Sequence, residues 1–211
     1  MKKLMLVCAV CSLLLTACKK DKTDYVTDSY SYFPMKTGNY WVYKWFHVDS
    51  SGNETTLAWN NDTIEIVGDT IINAHTFYKV DEKLIGGAQH RVRYLRDSAM
   101  WMVDETGEIE FTVEASAQNF SPYTSTGVPY TSISHMNYSA PQKNVPAGSF
   151  PTITKVTTIT IDQGTFCNGT NQRSTVKGYG RNVGLTFYTN FYIADPNCEF
   201  NEARLVEYHL Q

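Results

Sequence analysis

The strongest constraint on this chain is an alternation of period two, carried by β-branched and aromatic residues in short runs that Gly, Asn and Asp interrupt. Neighbouring side chains of a strand point to opposite faces, so this pattern suits a sheet and cannot form one stripe along a helix. Tyr40–Val48 puts Trp41, Tyr43, Trp45 and His47 on one face and Tyr40, Val42, Lys44, Phe46 and Val48 on the other. Both sets are largely apolar, which predicts a strand covered on two sides. Further strands are predicted at residues 55–59, 63–67, 70–72, 76–80, 91–95, 100–103, 108–113, 153–161, 174–179, 183–193 and 203–210, with Asn73-Ala74 as a hairpin tip. In the last third, Leu185, Phe187, Thr189, Phe191 and Ile193 alternate with Thr186, Tyr188, Asn190 and Tyr192. No stretch has helical periodicity of useful length. The predicted fold is all-β: a single antiparallel sheet, strongly curved into a half-barrel or closed as a barrel or sandwich.

The first seventeen residues have a different logic. Lys2 and Lys3 precede a mostly apolar run from Leu4 to Leu15, and Thr16 and Ala17 supply small side chains. This is the layout of an export leader, and the run is shorter than the roughly 20 apolar residues a spanning helix needs. Leu15-Thr16-Ala17-Cys18 resembles the lipobox of bacterial lipoproteins. The resemblance implies a mature chain that starts at Cys18 and is held to a membrane by lipid on that thiol, a stable anchor when more than one acyl chain is attached. Residues 19–32 (KKDKTDYVTDSYSY) are polar and predict a flexible tether, leaving 33–211 as a single β domain.

Loss of Lys2 and Lys3 leaves sixteen of the eighteen basic residues against twenty-one acidic ones, a balance that gives nucleic acid no electrostatic footprint. Of the five cysteines, Cys8 and Cys11 lie in the leader and Cys18 takes lipid, so Cys167 and Cys198 remain. In an oxidising compartment their pairing is the expectation, with two separate thiols as the alternative. They follow the 153–161 and 183–193 strands, which a meander would run in the same direction as next-nearest neighbours; inward-leaning loops would then bring the Cα atoms within bonding range.

Residues 116–151 break the alternation with five of the seven prolines, Pro122, Pro129, Pro141, Pro146 and Pro151. Proline removes ladder donors, which predicts a long connection with one edge strand or a plain surface excursion. Tyr123, Tyr130 and Tyr138 lie in it and are the candidate ligand-binding residues; they could instead pin the connection to the sheet.

Motifs that carry chemistry are few. The five histidines stand singly, no HExxH is present, and the one Cys-x-x-Cys, Cys8-Ala9-Val10-Cys11, falls in the leader, so neither a metal site nor a cofactor is implied. Glu65, Asp104, Glu108 and Glu110 are acid–base candidates for a hydrolase, which would need two of them across one cleft. Asp62-Thr63-Ile64, Asp69-Thr70-Ile71 and Asp97-Ser98-Ala99 resemble the O-glycosylation acceptor of Bacteroidota, with Thr63, Thr70 and Ser98 as acceptors; local turn chemistry is the other reading.

Tyr32-Phe33-Pro34, Gly38-Asn39-Tyr40-Trp41-Val42-Tyr43, Gly68-Asp69-Thr70-Ile71, Val145-Pro146-Ala147-Gly148-Ser149-Phe150 and Tyr179-Gly180-Arg181-Asn182-Val183-Gly184-Leu185 together resemble a family of Bacteroidota outer-membrane lipoproteins of unknown activity. A more distant similarity is to half-barrels of the lipoprotein-carrier type. The resemblance implies an anchored, antiparallel β domain of unknown activity, without catalytic residues to transfer. The function expected here is a non-enzymatic binding or structural role in the envelope, with an envelope glycan or another envelope protein met through the proline-rich connection. A lipid or lipoprotein carrier and a hydrolase with a carboxylate pair are the alternatives. The lipobox reading predicts that Cys18→Ala moves the protein from the membrane to the soluble fraction, measured by fractionation and immunoblotting; retention in the membrane fraction would refute it.

Overall fold

The computed structural model describes residues 29–114, 120, 122–124, 130–139, 142–167, 169–192 and 197–211. The leader, Cys18 and the first part of the tether lie outside the described residues. The strands are β1 (Tyr40–Val48), β2 (Glu54–Thr56), β3 (Asp62–Ile72), β4 (His75–Leu84), β5 (Gln89–Ser98), β6 (Trp101–Asp104), β7 (Ile109–Thr112) and β8 (Tyr123–Thr124), followed by β9 (Tyr130–Asn137), β10 (Lys143–Val145), β11 (Gly148–Phe150), β12 (Thr152–Ile161), β13 (Gln172–Gly180), β14 (Gly184–Asn190) and β15 (Phe200–His209). One large antiparallel sheet takes the order β7-β6-β5-β4-β3-β1-β15-β14-β13-β12-β9-β8, with β2 beside the end of β1. The sheet is open: β7 and β8 are its edges, and no ladder joins them into the barrel that was one of the predicted forms.

Hydrogen bonds across the concave face show how strongly the sheet rolls. Trp41 Nε1 on β1 donates to Val183 O at 2.5 Å, and the Tyr43 hydroxyl donates to Leu185 O at 2.8 Å, both passing over β15. The Tyr188 hydroxyl of β14 reaches Asp62 on β3 at 2.5 Å, across two intervening strands. The concave face is filled by Trp41, Tyr43, Ile66, Val80, Phe111, Tyr179 and Leu205, each at most 1% exposed. β1 is therefore fully covered on one side only: on the convex face Lys44 is exposed, Tyr40, Val42 and Phe46 are half-buried, and Val48 alone is buried.

The domain begins before the expected Phe33. Ser29–Tyr32 forms a 3₁₀ turn whose Ser29 is buried, with its amide donating to Ala99 O at 2.8 Å. Asn182 N donates to Ser31 O at 2.5 Å. The segment's composition reads as tether, but it packs through these backbone bonds, through the Ser29 hydroxyl on Ala99 O and through the Tyr32 ring against Phe111. Phe33 then stacks on Trp41 with ring centroids 4.9 Å apart, and Asn39 joins Pro34 to the C-terminal Gln211.

The Pro-rich stretch holds more strand than expected. β9 pairs along its length with β12, and on its other side β8 covers only Thr131 and Ser132, so most of β9 lies at the edge of the sheet as expected for this stretch. Among the described prolines, Pro122 precedes β8, Pro146 sits in the β10–β11 turn and Pro151 separates β11 from β12. None interrupts a ladder, and the objection to strands applied to the proline positions, not to the residues between them. The β10–β11 hairpin packs on the convex face, where Lys143 lies over Phe187 and pairs with Glu202, and Ala147 N donates to Leu205 O. Residues 57–59 leave the sheet, which ends the predicted 55–59 strand at Thr56. At the β3–β4 tip Asn73 and Ala74 both have positive φ, 50° and 63°, the twist that a two-residue hairpin turn requires.

Gly184 is fixed by Trp41. Its φ is +105°, and a Cβ there would lie 2.8 Å from Trp41 Nε1, displacing the indole that bonds Val183 O. Gly184→Ala is expected to cost about 2 kcal/mol and to lower Tm by roughly 4–8 °C in a thermal melt; an unchanged Tm would show that the indole is not fixed by this contact.

Candidate functional site

The open seam of the half-barrel is where charged side chains converge. β6 and β7 pair Met102 with Phe111 and Val103 with Ile109, so Glu110 has no partner across the ladder. A bulge of this kind re-aims a side chain, and Glu110 turns into the concave face next to Phe111. There it meets Lys177 and Tyr179 of β13 and Arg93 of β5. Lys177 Nζ and the Tyr179 hydroxyl, at 3.2 Å, both donate to Oε1, while Arg93 Nη2 donates to Oε2 at 3.0 Å. Arg93 also faces Glu82 at 3.7 Å, and Arg91 takes the other side of that carboxylate. Lys155 of β12 lies 3.9 Å from Glu110 Oε2.

Burial alone would raise the pKa of Glu110, but Lys177, Arg93 and Lys155 outweigh it and hold the carboxyl well below its ordinary range. Glu110 in turn raises the pKa of Arg93. Burial and then Glu110 push the Tyr179 hydroxyl well up. Burial lowers the pKa of Lys155, partly opposed by Glu110. The cluster therefore keeps a fixed anion at its centre. A general acid needs the opposite shift.

The edge of β7 is sealed by side chains in place of a ladder. Lys155 Nζ approaches Ile109 O at 3.4 Å, and the Tyr138 hydroxyl bonds Glu114 O at 2.8 Å and Thr112 O at 3.3 Å. Burial and then Glu114 push the Tyr138 phenol up to about 12. At the other end of the seam lies a half-open cleft of about 380 Å³, with residues 106–109 on one wall and Phe120, Pro122 and Tyr123 on the other. Lys155 Nζ sits 4.6 Å from the centre of the Phe120 ring, directly behind that wall.

This geometry divides the three candidate tyrosines. Tyr123 is 59% exposed and its ring centroid is 6.2 Å from that of Tyr130, so these two share one rim. Tyr138 lies at the far end of β9 with its hydroxyl committed to the β7 edge; its role is to pin the connection, and it does not join the other two. Cys167 and Cys198 are joined in a disulfide with Cα atoms 5.0 Å apart, just past the ends of β12 and β14. Thr70 is exposed, while Thr63 and Ser98 are half-buried. The Asp62 carboxylate accepts from Gly86 N and Tyr188, and Asp97 accepts from Ser29, so both serve the fold. Asp104 caps the β6–β7 turn through Thr106 N and Glu108 N. Among the described residues no group of three or more His, Cys, Asp or Glu side chains could hold a metal ion.

Arg93, Lys155 and Lys177 were missed as candidates. Only their strand parity placed them on the inner face, and a lone cation in an alternating strand reads as solvated.

No protein-family profile and no curated protein matches the chain. Two solved structures are similar in backbone: a candidate lipoprotein from Parabacteroides distasonis and a candidate exported protein with a YmcC-like fold from Bacteroides fragilis. The first is 13% identical over 84% of this chain and 98% of its own, with a TM-score of 0.48. The second is 10% identical over 85% and 99%, also with a TM-score of 0.48.

Because the folded carboxyl of Glu110 titrates below its ordinary value of 4.5, its contribution is fully present above that pH and is lost as pH falls through the folded pKa. Glu110→Gln is expected to destabilise the protein by about 3 kcal/mol at neutral pH, since it strands buried cations, and to flatten the acid limb of stability against pH. Denaturant melts from pH 3 to pH 7 check this; parallel curves for the two proteins would refute the assignment.

Proposed function

We propose that the chain is a membrane-anchored lipoprotein of the bacterial cell envelope, seated in the outer membrane through lipid on Cys18, that binds a saccharide at the seam cleft without processing it. The observation that carries the reading is the exposed Tyr123 ring beside Tyr130 at the mouth of a cleft of about 380 Å³. A tyrosine with an open apolar face and a polar tip suits a sugar ring, whose C–H face and hydroxyls make the complementary demands. The cleft is small and concave, which favours a saccharide unit over the flat surface of a protein partner.

The export leader and the Cys167–Cys198 bridge support an extracytoplasmic site. The fixed anion at Glu110 supports binding over hydrolysis, since Glu110 and Glu82 are both neutralised through Arg93 and neither is placed as a proton donor. The carrier alternative needs an open apolar interior. Here the described concave face is occupied by the protein's own rings.

Titration of lipid-free protein with neutral oligosaccharides, followed by calorimetry, tests the reading. Tyr123→Ala is expected to weaken binding about three- to tenfold, in line with one aromatic contact, without changing Tm. Unaltered affinity in that variant would remove the cleft as the site, and release of new reducing ends would overturn the non-enzymatic assignment.

A further inference from the structure

We infer that the seam cleft selects an anionic saccharide, one that carries a carboxylate or a phosphate, and that Lys155 is the group that meets the charge. The inference rests on the saccharide reading above and adds the ligand's class.

Lys155 is a buried ammonium with poor partners. Its Nζ is 3.4 Å from Ile109 O, 3.9 Å from Glu110 Oε2 and 4.6 Å from the Phe120 ring centre. All three contacts are longer than the roughly 2.7–3.2 Å of an ordinary N–H···O bond. The oxygens of Glu110 are already taken, Oε1 by Lys177 and Tyr179 and Oε2 by Arg93. Arg91 occupies Glu82. Lys155 is the surplus cation of the cluster, with three donors and no short acceptor, a costly state for a buried charge.

Its position makes the surplus useful. Ile109 and Phe120, its two nearest non-acidic contacts, both line the cleft. Around the ammonium stand Arg93 and Lys177 against Glu110 and Glu108. Counting Lys155 itself, three cations face two carboxylates around the ammonium, although the whole chain carries a formal charge of −3; of these groups Glu108 alone lines the cleft, so an anion must pass it to reach Lys155 behind Ile109 and Phe120. Depression of the Lys155 pKa by burial is the state an incoming anion would relieve. A carboxylate or phosphate that enters past Phe120 would complete the coordination of the ammonium while its sugar ring rests on Tyr123.

The test compares trigalacturonate, galactose 6-phosphate and neutral galactotriose by calorimetry on lipid-free wild-type, Lys155→Met, Lys155→Arg and Tyr123→Ala proteins. Wild type is expected to bind at least one acidic sugar about tenfold or more tightly than the neutral one, with the preference shrinking as salt rises. The two acidic probes separate carboxylate from phosphate. Lys155→Met keeps the aliphatic stem and should bring acidic and neutral affinities within about twofold, whereas Lys155→Arg should retain most of the preference. Equal affinities in wild type, or a preference that survives Lys155→Met, would overturn the inference while leaving the cleft as a sugar site wherever Tyr123→Ala still weakens binding. Unaltered binding of every sugar by Tyr123→Ala would overturn the cleft itself. The salt dependence is read on wild type, so the test stands even if Lys155→Met melts early.

Discussion

The half-barrel depends on one bulged residue. Glu110 has no ladder partner on β6, and this frees its side chain to cross the concave face and bind β5 and β13 together. An open sheet of this length has no backbone reason to bring its β7 edge near its middle strands. The carboxylate supplies one, with Phe111 packed against Tyr179 beside it at 4.6 Å between ring centroids. Closure is therefore achieved by side chains where a barrel would use hydrogen-bonded strands. Tyr138 completes it by donating to carbonyls that a free edge would leave open to another chain, and the Lys155 ammonium stands 3.4 Å from the Ile109 carbonyl.

Such a closure is expensive, and its cost explains its position. Burying a carboxylate among three cations repays the desolvation only when the geometry satisfies every acceptor, and a well-packed apolar cluster often stabilises as much. The other half of the concave face does use apolar packing: Trp41, Tyr43, Trp45 and Tyr188 hold β1 against β14 through edge-to-face rings and two buried hydrogen bonds. Charge replaces rings where two edges must meet without a ladder. There, directional bonds fix the approach of β7 in a way that interchangeable aliphatic contacts would not.

Much of the fold was legible in the residues. The alternation of Trp41, Tyr43 and Trp45 identified the strand, though both its faces are apolar enough to look buried, and Asn73-Ala74 marked the hairpin tip. The positions of Cys167 and Cys198 after two parallel, next-nearest strands made their bridge geometrically reasonable before any coordinates. What escaped were features that break local rules. Period two assigns Glu110 to the face opposite Phe111, and only the bulge brings both inside. The short strands β8, β10 and β11 were not legible because the prolines of this stretch lie between strands and not within them. Tyr138 looked like Tyr123 in sequence; the eight residues of β9, which begin at Tyr130, carry it to the other end of the sheet. The site was less legible than the fold, since its cations come from β5, β12 and β13 and only the roll of the sheet brings them together.

That roll also orients the molecule. The 3₁₀ turn at Ser29 is bound to Ala99 and Asn182, so the chain enters at the end of the sheet where β5 meets β6 and β13 meets β14. The seam cleft, built from the β6–β7 turn and the start of β8, lies at the opposite end, as does the Cys167–Cys198 bridge. With lipid on Cys18 as proposed, a stretch of ten residues could reach at most roughly 35 Å, and the described chain begins at Ser29, on the side away from the cleft. The domain would then stand on its entry turn and present Tyr123, Tyr130 and the cystine loops outward. On the proposed anchoring, attachment and ligand access would fall at opposite ends of the same strands, and the filled concave face between them would need no opening to either side.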